Sequence, residues 1–122
     1  MTFMAKALTP KRGQIWLVDF DPAVGAEIRK FRPAVVMSVD AVGRLALRIV
    51  VPITDWKPAY AAYAWFVSIP ATSANKLHKH SGADAFQVKS ISENRFVSHL
   101  GEITSAQAEA IAEAIALCVG VP

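Results

Sequence analysis

Between Gly13 and Ser38 two short β-forming runs, Ile15-Trp16-Leu17-Val18 and Ala34-Val35-Val36-Met37, enclose a loop that opens with turn residues and closes with charge. This arrangement restricts the chain more than any other stretch. The runs are too short and too rich in Val and Ile for helices, so they read as two strands of an antiparallel pair. Gly13 punctuates the start of the first strand, which is expected over 14–19. Pro33 opens the second, expected over 33–39, where a missing N–H is tolerated. Asp19, Asp21, Pro22 and Gly25 begin the connection, and Glu27, Arg29, Lys30 and Arg32 end it. A connection this long inside a small domain is more often functional than incidental.

The rest of the chain continues in the same manner. A turn is expected over 40–44, a third strand over 45–54 with a bulge or exposed edge at Pro52, and a loop over 55–63. A fourth strand is expected over 64–69. The stretch 70–82 reads as polar and basic loop, followed by a fifth strand over 83–89 and a short extended piece at 90–91. A turn at 93–95 precedes a last strand over 96–101. Thr104 and Gln107 form a capping box at the start of a helix. Ala108, Ile111, Ala112, Ile115, Cys118 and Val119 recur on one face of it, and Gly120 stops it. The expected fold is mainly β (α+β): a small antiparallel barrel with a C-terminal helix laid on it.

At 122 residues the chain suits one domain over 1–122, with 1–11 as a loose N-terminal arm. Hydrophobic residues make up 53% and charged residues only 19%, so an apolar surface hidden in an oligomer is expected. The net charge of +3 suits an anionic partner without specifying one. The single cysteine, Cys118, cannot close an internal disulfide and belongs to no metal-binding spacing, which points to a reducing, cytoplasmic setting. Residues 1–12 lack the apolar core and cleavage site of a signal peptide. No run is long enough to span a bilayer.

Three blocks in order carry a resemblance. The first is Arg12-Gly13-Gln14-Ile15-Trp16 through Asp21-Pro22, with Val24-Gly25-Ala26-Glu27 and Arg32-Pro33-Ala34-Val35-Val36. The second is Val51-Pro52-Ile53-Thr54, and the third is Phe86-Gln87-Val88-Lys89-Ser90-Ile91. Together they resemble the MazF/PemK family of toxin endoribonucleases of type II toxin–antitoxin systems, over roughly residues 12 to 119. The resemblance implies an SH3-like barrel of the CcdB/PemK type and a homodimer. It implies sequence-specific cleavage of single-stranded RNA without a metal or other cofactor, and an antitoxin partner with an acidic flexible tail. The chain departs from the family pattern at Ala26, at Ser92, and at Phe86, where an acidic residue is common. Asp84 lies two positions before that phenylalanine.

Metal-free RNA cleavage uses the substrate's 2′-OH as nucleophile and ends in a 2′,3′-cyclic phosphate and a 5′-OH. Negative charge grows on the phosphoryl oxygens, so fixed donors are needed there. Arg32 is the first candidate, since a guanidinium grips two oxygens at once. The plainer alternative is a surface arginine at a strand mouth, and the family match at Arg32-Pro33 outweighs it. Thr54 offers a hydroxyl donor, against the ordinary alternative of bonding its own backbone. Glu27 is expected either to accept the 2′-OH proton or to pair with Arg29 or Arg32. Gln87, Lys89 and Ser90 are candidate RNA-binding residues, with an ordinary polar strand face as the alternative. Arg29 and Lys30 would add phosphate attraction. Trp56 and Tyr60, in a loop, are better base-stacking candidates than Trp16 and Trp65, which are expected in strands. His78, His80 and His99 form no ligand set, and Cys118 reads as inert core. Two other readings share the fold: a CcdB-like toxin that acts without cleaving RNA, and an RNA-binding barrel without catalysis.

Overall fold

The computed structural model describes residues 9–40 and 46–122. Seven strands, β1 (Gln14–Asp19), β2 (Phe31–Val36), β3 (Leu47–Asp55), β4 (Phe66–Ile69), β5 (Ser81–Asp84), β6 (Lys89–Ser92) and β7 (Phe96–Glu102), precede one helix, α1 (Ser105–Cys118). The pairing path is β4-β5-β3-β2-β1-β7, with β6 branching onto β3. The pairs are antiparallel. Among the described residues the path ends at β4 and β7, so its ladder does not close into the ring expected of a barrel. The turn expected over 40–44 lies outside the described residues from 41 onward. The same holds for residues 1–8 of the N-terminal arm. Of the remainder, Pro10 is buried and its carbonyl accepts from Arg48 Nε at 3.1 Å, so that end of the arm is fastened.

Side chains alternate across the strands, and both faces are used. On one face Ile15, Val35, Val51, Ile53, Ile69 and Ala83 pack with Ile111 of α1. On the other Trp16, Val18, Phe20, Ala34, Val36, Val50 and Ile91 form a second cluster, flanked by Ile28 and Phe96. Burial on both faces explains why the sequence shows continuous apolar runs in place of strict alternation.

β1 has the boundaries expected of it. β2 begins at Phe31, because Asp19 still pairs with Phe31 and Val18 with Arg32. It therefore starts two residues earlier than expected, and Arg32 is held on a strand, not in a loop. The strand expected over 83–89 is divided. Ile53 pairs with Ala83 while Val50 pairs with Lys89, so β3 advances three residues as its partner advances six. The three extra residues form a bulge containing a 3₁₀ turn at Ala85–Gln87. Pro52 is buried and pairs with Ala34 on its other side; Val51 and Pro52 are the β3 residues opposite the bulge, so the interruption falls at the proline as expected, with the extra residues on the partner strand. The loop expected over 55–63 contains a 3₁₀ turn at Pro58–Ala62, and Trp65 falls just before β4, outside any strand.

α1 begins with both bonds of the capping box: Thr104 Oγ1 accepts from Gln107 N at 3.1 Å, and Gln107 Oε1 accepts from Thr104 N at 2.9 Å. It ends in a Schellman motif, with Val121 N donating to Ala116 O at 2.8 Å and Gly120 N to Leu117 O at 3.2 Å. Gly120 adopts φ +80°, which explains the glycine. The buried stripe is Ala108, Ile111 and Ala114, with Ala112 and Ile115 packed beside it. Val119 is 69% exposed, contrary to expectation, because the helix has already ended and Val119 is its C-cap. Among the described residues no helix is long and apolar enough to cross a membrane.

Candidate active site

The second sheet face carries the candidate site residues Arg32 and Thr54. Arg32 shares its side with Ala34 and Val36, and Thr54 shares its side with Val50 and Pro52. The β2–β3 ladder pairs Ala34 with Pro52 and stops there. Continuing its direction by two residues points Arg32 toward Thr54. Thr54 in turn pairs with Gly82, and Gly82 with Ser68. Gly82 leaves room for the Trp56 ring: an added Cβ would lie 3.0 Å from that ring.

Arg32 is half-buried, and its Nε donates to Arg29 O at 3.3 Å. That bond orients the side chain. Among the described residues neither terminal guanidinium nitrogen has a protein partner, so both donors of the fork remain available. Thr54 is also half-buried. Its hydroxyl makes no bond to its own backbone or to other described residues, so the ordinary alternative for a strand-end threonine does not apply.

The loop between β1 and β2 is fastened at several points. Asp21 Oδ1 accepts from Lys30 N at 3.0 Å, and Lys30 O accepts from Phe20 N at 2.9 Å. Arg95 Nη1 donates to Asp19 O at 3.2 Å and also to Asp21 O. Glu27 Oε1 accepts from Val24 N at 2.6 Å, while Glu27 N donates to Val24 O at 3.2 Å. Glu27 thus closes a local turn, and the ion pair with Arg29 or Arg32 is not formed. The ion pairs among the described residues are Arg48–Glu93 and Lys79–Asp55. Arg29 and Lys30 are exposed, with Arg29 making a long contact of 3.4 Å to Ala23 O.

Gln87 and Lys89 lie on the bulge side, but in two different elements. Gln87 sits in the 3₁₀ turn, and its Oε1 accepts from Ile28 N at 2.6 Å. It pins the β1–β2 loop to the bulge. Lys89 and Ser90 open β6, on opposite faces, opposite Val50 and Ile49. Residues 26–28 and 86–89 face each other across an open cleft of about 350 Å³. Among the described residues Lys89 Nζ has no protein partner.

Four participants were given no site role from the sequence, although Asp84 and His80 were noted there. Asp84 is buried, 8% exposed, and accepts from Phe86 N at 3.2 Å and from Gln87 Nε2 at 3.4 Å. Burial raises its carboxyl above the ordinary value, and the hydrogen bonds from Phe86 and Gln87 offset part of that rise. The Asp-x-Phe-Gln spacing of a capped turn was the available signal. Arg95 comes from a distant strand turn and left no local signal. Ser68 Oγ and His80 Nε2 lie 2.6 Å apart, and the His80 ring stacks on Trp56 with centroids 4.9 Å apart. Trp56 therefore has one face occupied, and Tyr60 is stacked on Phe66 at 3.9 Å. Cys118 is half-buried, and burial with the negative charge of Asp84 raises its thiol pKa, as suits an unreactive thiol. Among the described residues no three His, Cys, Asp or Glu side chains converge on a common point.

This geometry can orient a phosphate against an arginine fork and a threonine hydroxyl, beside a loop held against a bulge. The sequence and fold both have relatives. A family model described as "PemK-like, MazF-like toxin of type II toxin-antitoxin system" matches residues 11–119. Endoribonuclease MazF9 of Mycobacterium tuberculosis is 35% identical over 113 residues, covering 88% of this chain and 93% of the relative. Endoribonuclease toxin ChpB of Escherichia coli is 46% identical over 68 residues, covering 55% and 57%. Among solved structures, a mycobacterial endoribonuclease in complex with its cognate antitoxin superposes with a TM-score of 0.73 at 22% identity, covering 93% of this chain and 98% of the other. MazF from Deinococcus radiodurans gives 0.73 at 23% identity, covering 93% and 97%. The structural matches speak to the fold. The family model and the MazF9 match together span nearly the whole chain, and the chain belongs to the PemK-like, MazF-like toxins of type II toxin–antitoxin systems.

Proposed function

We propose that this MazF-type toxin endoribonuclease cleaves single-stranded RNA, mRNA included, at short sequences by attack of the substrate's own 2′-OH, without a metal or other cofactor. The observation that carries the site assignment is the β2–β3 register, which sets Arg32 and Thr54 on one sheet face, with the terminal guanidinium nitrogens and the hydroxyl unpartnered among the described residues. The O2′–P bond forms as the P–O5′ bond breaks. Arg32 and Thr54 hold the phosphoryl oxygens as their charge grows, in place of the water that solvated them. A guanidinium keeps its proton through the neutral range, so charge stabilisation is its natural work. Glu27 takes the 2′-OH proton through the oxygen that Val24 leaves free, and the 5′-oxygen departs with a proton from solvent. Arg29, Lys30 and Lys89 attract the flanking phosphates. Gln87 keeps the loop in place and Trp56 lines the approach of the strand, while Ser90, on the opposite face of β6 from Lys89, falls outside the groove. A 2′-deoxy substrate lacks the nucleophile and is refused.

We read the curved sheet as the SH3-like barrel of the CcdB/PemK type. The protein works in the cytoplasm as a homodimer. Its antitoxin presents an acidic flexible tail that competes with RNA for the same basic loop, as fits the antitoxin complex of the mycobacterial structural neighbour.

The test is incubation of the purified, folded protein with mixed-sequence single-stranded RNA in EDTA, followed by end mapping. Fragments with 5′-OH and 2′,3′-cyclic phosphate ends at recurring short sequences are expected. RNA recovered intact, with salt-sensitive binding, would instead support a binding module. Growth arrest with DNA damage and intact mRNA would support a CcdB-like mode of action.

A further inference from the structure

We infer that the cleft between residues 26–28 and 86–89 is a stacking subsite for one unpaired nucleobase of the RNA, with Phe86 as its platform. The inference deepens the RNA-cleaving reading above and rests on it. Phe86 is 68% exposed, although its backbone is tightly placed. Its N–H donates to the buried Asp84, its neighbour Ala85 is fully buried, and Gln87 is bonded to Ile28 across the cleft. A rigid turn thus presents a large apolar ring to water. Nothing in the described fold uses that ring as core.

Its surroundings select the occupant. The Phe86 ring lies 6.0 Å from Trp65, and Trp65 is stacked on Tyr63 at 4.9 Å with planes 8° apart. The aromatic surface therefore extends along the rim, and Tyr63 is itself 40% exposed. Val88 and Ile28 supply apolar lining, and the cleft, at about 350 Å³, is within the size range of small-ligand sites. Lys89, whose ammonium has no protein partner among the described residues, lines the same cleft. A flat apolar face beside a free cation matches a base with its phosphate, the arrangement by which single strands are bound. A protein segment seated here would instead need apolar side chains with an acidic neighbour, and it is the competing outcome. The cleft adjoins the proposed chemistry, because its loop wall leads directly into Arg32.

The experiment uses the full chain, with single-stranded RNA oligonucleotides selected by binding from a mixed-sequence pool and carrying one abasic nucleotide at successive positions. Wild type, Phe86→Ala and Phe86→Trp are compared in single-turnover cleavage and, in parallel, in RNA binding by anisotropy. Phe86→Ala is expected to raise the half-saturating RNA concentration roughly 5- to 100-fold, with the rate at saturation retained. One abasic position should impose a similar loss on wild type and none further on Phe86→Ala, while Phe86→Trp keeps the wild-type behaviour. Equal saturation of wild type and Phe86→Ala would overturn the inference. So would an abasic penalty that persists in Phe86→Ala, or a loss confined to self-association or to binding a protein partner. If wild type binds these RNAs in the Phe86-dependent way but cuts none, the cleavage reading fails and the subsite stands.

Discussion

The two faces of the sheet are built from the same strands and end differently. On the face that receives α1, apolar residues run the length of the strands and the helix seals them with Ile111. On the other face the apolar cluster stops short. Beyond Ala34 and Pro52 the same alternation delivers Arg32 and Thr54, and the cover is a loop and a bulge joined by one side-chain bond, Gln87 to Ile28. The lesson is that the period-two rule sets the two candidate residues, Arg32 and Thr54, on one side of the sheet. Where a sealed face yields to a partly covered one, the next residue in the row meets solvent with a scaffold beneath it. Mutations should therefore separate cleanly: stability on one face, chemistry on the other.

The largest expected effect lies on the open face. Arg32→Ala should lower single-turnover RNA cleavage by roughly 10³- to 10⁵-fold, about 4–7 kcal/mol of transition-state stabilisation. The melting temperature should change little, because among the described residues the Arg32 side chain makes a single bond, to Arg29 O. Arg32→Lys keeps the charge but not the fork, and should recover only a small part of the activity. A normal rate for Arg32→Ala would remove the site from this face altogether.

The next effect lies on the sealed face. Ile111 is fully buried between α1 and the sheet. Ile111→Ala should destabilise the fold by about 2–5 kcal/mol, read from denaturant unfolding. Activity per folded molecule should be unchanged below the unfolding transition. A folded Ile111→Ala protein with impaired cleavage would mean that the two faces are coupled, and the division drawn above would fail.

The sequence announced some of this division and concealed the rest. β1 and the capping box of α1 were legible because each depends on neighbours a few residues away: Gly13 before the strand, Thr104 and Gln107 around the helix start. Arg32 and Thr54 became candidates through their motifs, and their place on one face follows from the β2–β3 register. The split of the fifth strand was hidden. Residues 83–89 have strand-like composition throughout, and only pairing with both halves of β3 reveals the three extra residues. The role of Gln87 depends on that same bulge, and the hold of Arg95 on the loop joins positions 74 and 76 residues apart. Glu27 was expected either to accept the 2′-OH proton or to pair with Arg29 or Arg32, because charges cluster in its sequence. The structure uses one of its carboxylate oxygens to close a turn with Val24 N, and among the described residues no ion pair with Arg29 or Arg32 forms.

The smallest expected effect tests how the bulge is held on the open face. Burial raises the Asp84 carboxyl above its ordinary value of 3.8. The folded protein therefore holds that proton more tightly than the unfolded chain. Its contribution to stability is present at low pH and declines as pH rises from about the ordinary value through the raised one, after which it is flat. Asp84→Asn removes this titration, and the amide oxygen can still accept from Phe86 N. Its –NH₂ group cannot accept from Gln87, a loss worth about 0.5–1.5 kcal/mol that opposes the gain at neutral pH. The level of stability should thus change little, while the acid-side slope of wild type minus variant should be negative with rising pH. Urea unfolding between about pH 3 and about pH 7 measures it. A difference that stays constant across that window would mean that Asp84 titrates alike in the folded and unfolded chains, and that the bulge rests on its backbone bonds alone.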